Sequence, residues 1–271
     1  MAYTSRFTIS TSRSKQLHFF HPFLFRRDIC FKLSQSLCES LVGSIPTSFA
    51  LLTSLVYLNL GNNGGGTAGT RLSGTLPSFL GLNLQLTFLS VEYNSLTGTV
   101  PESLGQLSSL VYLYITGNSF EGSIPSTIGQ WSSIMAIRLS KNSFTGTLPT
   151  AIGQLTSLVY FAVTSNGLRG SLPASLGQLS RITSLSLDKN AFTGSIPSTV
   201  EFLTALTLLR LGSNSLTGAI PSGLCRAYSY SLSLAGGHNA FSCYAPCLSS
   251  VSTISLGTSV QCPPPSHTQV Y

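Results

Sequence analysis

The stretch that decides the fold runs Leu110-Val111-Tyr112-Leu113-Tyr114-Ile115-Thr116-Gly117-Asn118-Ser119-Phe120-Glu121-Gly122-Ser123-Ile124-Pro125. Its first half alternates apolar and other residues at period two, the pattern of a strand with one buried face. An Asn then marks the turn out of the strand. Phe120, two residues on, returns to the interior, Gly122 suits a tight or close-approach backbone position, and Pro125 ends the extended segment.

The same phrase recurs. Asn94, Asn118, Asn142, Asn166, Asn190 and Asn214 stand 24 residues apart, each after the same apolar frame, as in Ile134, Ile137 and Leu139 before Asn142. After each Asn comes a Leu or Phe (Leu96, Phe120, Phe144, Leu168, Phe192, Leu216), then a Gly, then a Pro. The unit reads LxxLxLxxNxLxGxIPxxLGxL. A single coil of this kind cannot bury its apolar edge, so successive coils must stack. The Asn side chain, held at every turn, can bond backbone groups that stacking would otherwise leave unpaired.

On these residues the sequence resembles the leucine-rich repeat family, in its plant-type subclass, over roughly residues 41–222. The resemblance implies a leucine-rich repeat solenoid of the α/β class: a right-handed curved superhelix of short strands and 3₁₀ turns with a parallel β-sheet on its concave side. It further implies a non-enzymatic module, such as a receptor-like ectodomain or an inhibitor of a secreted polysaccharide-degrading enzyme. The partner would be a protein or peptide, with a glycan or a secreted enzyme as alternatives. Cell-surface recognition, signalling or defence in an extracellular setting is expected. A structural, wall-associated role and an intracellular scaffold are the competing readings.

Three segments follow. Residues 1–38 form a head with three readings: a targeting segment, a degenerate cap or a wrongly joined exon. Residues 39–224 carry the repeats, with seven inserted residues, 64–70, in the first unit. Residues 225–271 form a cap and tail, where Asn239-Ala240-Phe241-Ser242-Cys243 copies Asn190-Ala191-Phe192-Thr193-Gly194. All six cysteines lie at the ends: Cys30 and Cys38 before the repeats, Cys225, Cys243, Cys247 and Cys262 after them. Cap disulfides are favoured over zinc, because terminal coils lack a neighbour and the spacing fits paired zinc knuckles poorly. Four C-terminal cysteines leave three pairings open.

The formal net charge of +7 does not mark a nucleic-acid binder. In residues 1–32, six basic residues face only Asp28, which leaves +2 for the rest of the chain, with no clustered basic face. Charged residues make up 8% of the chain, because Ser, Thr, Gly and Asn fill the turns. No stretch is apolar for the roughly 18 residues a membrane span needs. Catalytic and phosphate-binding motifs are missing and the acidic residues are scattered, so no enzyme, cofactor or metal is expected.

The candidate site is the outward face of the strands, where stacking sets equivalent positions in columns. One column runs Tyr57, Phe88, Tyr112, Ala136, Tyr160, Ser184, Leu208, and its neighbour Asn59, Ser90, Tyr114, Arg138, Ala162, Ser186, Arg210. The positions beyond add Glu92, Tyr93, Lys141, Asp188 and Lys189. Exposed aromatics beside Arg and Lys suit a recognition surface, where Tyr and Arg dominate binding energy.

Overall fold

The 24-residue period becomes one turn of a solenoid. The computed structural model describes residues 31–33, 42–52, 54–62, 71–226, 231–234, 238–244 and 260–261. The inserted loop 64–70, Asn63, the cysteines Cys30, Cys38, Cys247 and Cys262, and the strand expected near Val251 lie outside the described residues.

Each coil contributes a strand to a nine-stranded parallel sheet in chain order, from Phe31–Leu33 and Leu55–Asn59 to Leu208–Arg210 and Ser231–Ser233. Parallel pairing places Tyr112 beside Phe88 and Ala136, and Tyr114 beside Ser90 and Arg138, so the columns read from spacing are the pairing register. The first strand, Phe31–Leu33, pairs with Leu55–Asn59, so the sheet reaches into the 1–38 segment. The second extended segments pair into a four-stranded and a five-stranded parallel sheet. Between them run 3₁₀ turns such as Glu102–Gln106 and Ser126–Gln130, each opened by a proline. That residue's φ near −65° and missing N–H suit the first position of a helical turn.

The core is a continuous apolar column. Leu110, Leu113, Ile115, Phe120 and Ile128 are all fully buried, and their counterparts in the other coils match them. Phe120 and Phe144 stack at 6.4 Å between ring centres. Trp131, the chain's only Trp, takes a Leu position and donates its indole N–H to the Leu104 carbonyl at 2.6 Å.

Between coils, the Asn ladder carries the polar load. Asn142 donates to Ile115 O of the preceding coil at 3.1 Å and to Leu139 O of its own at 3.0 Å, while its Oδ1 accepts from Phe120 N at 3.1 Å. Asn118, Asn166, Asn190 and Asn214 repeat this triple bond, and Asn94 opens the series with Leu60 O and Leu72 N. Asn239 is a further rung: it donates to Leu211 O and accepts from Leu216 N. It stands 25 residues from Asn214, one more than the period, and is the Asn of the segment that copies Asn190-Ala191-Phe192.

Two glycine positions have different causes. Gly98, Gly122, Gly146, Gly170, Gly194 and Gly218 all lie at φ between +72° and +79°, a region L-residues avoid. Gly105 in the 3₁₀ turn has no such φ. A Cβ there would come within 2.6 Å of Thr127 Cβ in the next coil, so it sets how closely coils approach. Ser and Thr hydroxyls tie the same face together: Ser103, Ser175 and Thr199 each donate to a carbonyl of the coil before, at 2.7 Å.

Two substitutions test this construction by thermal and urea unfolding. Asn142→Ala strands two carbonyls and one N–H and should cost about 2–4 kcal/mol. Gly105→Ala must push Thr127 away and should cost about 1–3 kcal/mol.

Candidate functional site: the concave aromatic face

Strand geometry sends the even-spaced outward residues of the long sheet to the concave side. There the structure brings six of the expected residues into one cluster. Tyr57 and Phe88 stack with ring centres 4.3 Å apart and planes 11° from parallel. Phe88 meets Tyr112 at 5.9 Å and Tyr114 edge-on at 5.5 Å, and the two tyrosines meet each other at 5.9 Å. The Arg138 guanidinium carbon sits 4.4 Å from the Tyr114 ring centre and 5.2 Å from that of Tyr160. One unbroken set of contacts therefore runs across five strands.

Small residues on this face are not open to solvent, contrary to the expectation that every outward position is. Ser90, Ala136, Ala162, Ser184 and Ser186 are buried. Each has a larger partner in the register: Tyr114 beside Ser90, Tyr112 and Tyr160 beside Ala136, Arg138 beside Ala162, Tyr160 and Leu208 beside Ser184, and Arg210 beside Ser186.

The remaining expected residues separate by backbone position. Tyr93, Lys141 and Lys189 have φ of 53–56° and occupy the left-handed turn just before an Asn rung, past the strand's end. All three are exposed there. The Tyr93 ring lies over Gly117, whose absent Cβ makes room for it. Asp188 accepts from the Thr164 hydroxyl at 2.9 Å, which ties it to the neighbouring coil. Arg210 is exposed in the same column as Arg138, three strands further along.

Glu92 is half-buried. Burial raises its carboxyl above the ordinary value of 4.5, opposed by a hydrogen bond from Thr116 and by the charge of Arg138. Burial likewise raises the Tyr114 phenol, with Arg138 opposing. Thr116 and Thr164 were missed in the sequence, yet they share the column of Glu92, Ser140 and Asp188 at 24-residue spacing. Reading that column for acceptor–donor pairs, rather than for charge alone, would have found them.

At the C-terminal end Cys243 is disulfide-bonded. Among the described residues no three His, Cys, Asp or Glu side chains cluster as a metal site, and no helix is long and apolar enough to cross a membrane.

Comparison with known proteins agrees with this architecture. The Leucine Rich Repeat family profile matches residues 85–107, 109–131 and 205–227. Among solved structures, the chain is similar to the ectodomain of the plant membrane receptor kinase GASSHO1/SCHENGEN3 from Arabidopsis thaliana, in complex with CASPARIAN STRIP INTEGRITY FACTOR 2. That likeness has a TM-score of 0.74 and 32% identity, and covers 83% of this chain and 27% of the other. It is also similar to the plant peptide hormone receptor RGFR1 in complex with RGF2, with a TM-score of 0.72, 27% identity and 85% and 39% coverage. In fold alone it resembles a plant ice-binding protein, with a TM-score of 0.66, 23% identity and 83% and 73% coverage. No curated protein matches in sequence. The chain carries leucine-rich repeats folded as a solenoid, and most of its length is similar to plant receptor ectodomains. It spans well under half the length of the two receptor ectodomains.

The sign of the Glu92 effect can be tested. Its carboxyl holds its proton more tightly folded than unfolded, so its contribution is fully present below pH 4.5 and is lost as pH rises through the folded value. Glu92→Gln should therefore melt close to wild type at pH 4 and above it at pH 7. A melting difference that does not change with pH would contradict the assignment.

Proposed function

We propose that this chain is a recognition module that binds a peptide or a peptide-like segment of a protein on its concave face, outside the cell. The observation that carries the reading is the connected cluster Tyr57, Phe88, Tyr112, Tyr114, Arg138 and Tyr160. Aromatic rings and a guanidinium gathered on one face supply large contact area at low conformational cost, the composition of binding hot spots. Tyr93, Lys141, Lys189, Asp188, Glu92 and Arg210 would form the rim. Likeness to a peptide hormone receptor supports the ligand class, and the Cys243 disulfide supports an oxidising compartment. The cap disulfides among Cys30, Cys38, Cys225, Cys243, Cys247 and Cys262 belong to this reading, as do signalling or defence at the cell surface and the absence of catalysis.

A second reading has its own observation. The second sheets and the residues just past their strands present exposed Thr97, Thr99, Ser123, Thr145, Thr147, Ser171, Thr193 and Ser195, a hydroxyl-rich surface suited to hydration or O-glycosylation in a wall-associated protein.

Selection of phage-displayed random peptides on the full chain separates the two. Selected peptides should lose at least about tenfold in affinity, roughly 1.4 kcal/mol, when Tyr112 and Tyr114 are both replaced by Ala. The melting curve should stay close to wild type. Peptides that bind the double variant as well as wild type would overturn the concave-face reading.

A further inference from the structure

Successive coils turn out of the long sheet through one left-handed residue each: Asn62, Tyr93, Gly117, Lys141, Ser165, Lys189 and Ser213, with φ from 53° to 69°. Asn and Gly take that conformation readily, whereas a bulky side chain there is an outlier. From Tyr93 onward the column alternates large and small: Tyr, Gly, Lys, Ser, Lys, Ser. The Tyr93 ring lies over Gly117, so the small residue of one coil makes room for the large one before it. Tyr93 is 43% exposed, and Lys141 and Lys189 are exposed too. Among the described residues neither lysine forms an ion pair.

Backbone hydrogen bonds fix the spacing of this column. Tyr93 donates its N–H to Thr116 O, Gly117 to Ser140 O, Lys141 to Thr164 O and Ser165 to Asp188 O. Each step is one strand spacing, so Tyr93, Lys141 and Lys189 follow one another at intervals of roughly 10 Å. Arg169 adds a cation at the far end, because it pairs in register with Ala191, two residues past Lys189. Glu121 holds the matching place beside Lys141: it pairs with Ser143, two residues past that lysine.

We propose that this edge of the solenoid is a binding track for a linear acidic polysaccharide, a chain of uronic-acid sugars. The track is separate from the aromatic cluster of the strands and does not rest on the peptide reading. The Tyr93 ring, with one side against Gly117 and much of its surface exposed, gives the C–H face of a sugar an aromatic surface to stack on. Lys141 and Lys189 meet carboxylates further along the same chain. An ammonium on a flexible stem is a point charge that follows a carboxylate without demanding one geometry. Between these anchors Gly117, Ser165 and Ser213 are too small to wall a pocket for an apolar peptide side chain. A polysaccharide, which presents hydroxyls and carboxylates along its length, needs no such pocket.

The backbone supports a task for the large residues. Strained conformations cluster where binding or catalysis sustains them. The other coils meet the same corner with Asn62, Gly117, Ser165 and Ser213, so nothing in the fold demands Tyr or Lys there.

The test uses fluorescent oligogalacturonates of increasing length, with binding to the full chain measured by anisotropy. Affinity should rise until the oligomer spans about 20 Å, the four steps from Tyr93 to Lys189. Methyl esterification of the oligomer, which removes its charge and keeps its rings, should weaken binding about tenfold or more. The pair Lys141→Gly and Lys189→Gly should do the same, and Tyr93→Gly should weaken binding severalfold. These variants should melt close to wild type, because Gly suits the left-handed turn. Glu121→Gln, which removes the nearby negative charge, should tighten binding. Arg181→Gln removes an exposed cation between the turn Ala174–Gln178 and the strand Ser184–Ser186, and should leave affinity nearly unchanged.

Unchanged binding in the Lys141 and Lys189 double variant overturns the track. A loss in Arg181→Gln as large as that in Lys189→Gly reduces the attraction to general charge and overturns it as well. If poly-glutamate displaces the oligomer as well as an unlabelled uronate chain does, with no dependence on Tyr93, the polysaccharide is overturned as the ligand. Peptide binding is read on the Tyr112 and Tyr114 variants, so these results leave the concave-face reading untouched.

Discussion

The structure depends on one arrangement: an Asn side chain that bonds three backbone groups at once, two in its own and the preceding coil and one in the second extended segment of the preceding coil. A solenoid turns a corner at every coil, and each corner would leave carbonyls and N–H groups buried without partners. Asparagine alone offers two donors and an acceptor on a side chain short enough to stay inside the corner. Once that residue recurs every 24 positions, strand register, coil spacing and the direction of every outward side chain are set together. Seven rungs from Asn94 to Asn239 hold one register, and the columns of outward side chains are built on it.

The ladder also accounts for the chain's scarcity of charge. Coils held by Asn, by glycine close approach and by hydroxyls that donate to the preceding coil have no use for ion pairs at their contacts. Charge is therefore left for the surface, where an unpaired guanidinium such as Arg138 stands out. In a protein rich in surface ion pairs the same residue would be one among many. Here a half-buried cation beside the Tyr114 and Tyr160 rings forms no ion pair among the described residues, and Glu92 acts on it only through space.

Most of the scaffold was legible because periodicity is a property of the chain itself. The columns Tyr57–Phe88–Tyr112 and Ser90–Tyr114–Arg138 follow from counting, and the pairing register reproduces them. Depth was not legible. Counting places Ser90, Ala162 and Ser184 on the same face as Tyr114, but whether a short side chain is covered depends on the size of its neighbours. Backbone handedness was also hidden, since Tyr93, Lys141 and Lys189 share a left-handed turn with Gly117, Ser165 and Ser213, a mixed set that announces no conformation. The Asn239 rung stayed legible through its copied neighbours, Ala240 and Phe241, although one extra residue breaks the interval.

Fold and function part company at the outward positions. The same coil builds a peptide hormone receptor and an ice-binding protein, so the repeat by itself assigns no task. What distinguishes one repeat protein from another is the set of residues the ladder does not constrain. In this chain those residues are unequal along the sheet. The coils from Tyr57 to Tyr160 gather rings and a guanidinium into continuous contact, while the coils beyond carry Ser184, Ser186 and Leu208 in the same two columns. A uniform structural surface would have no reason to concentrate its aromatics in one run of coils. The peptide proposed for this face would.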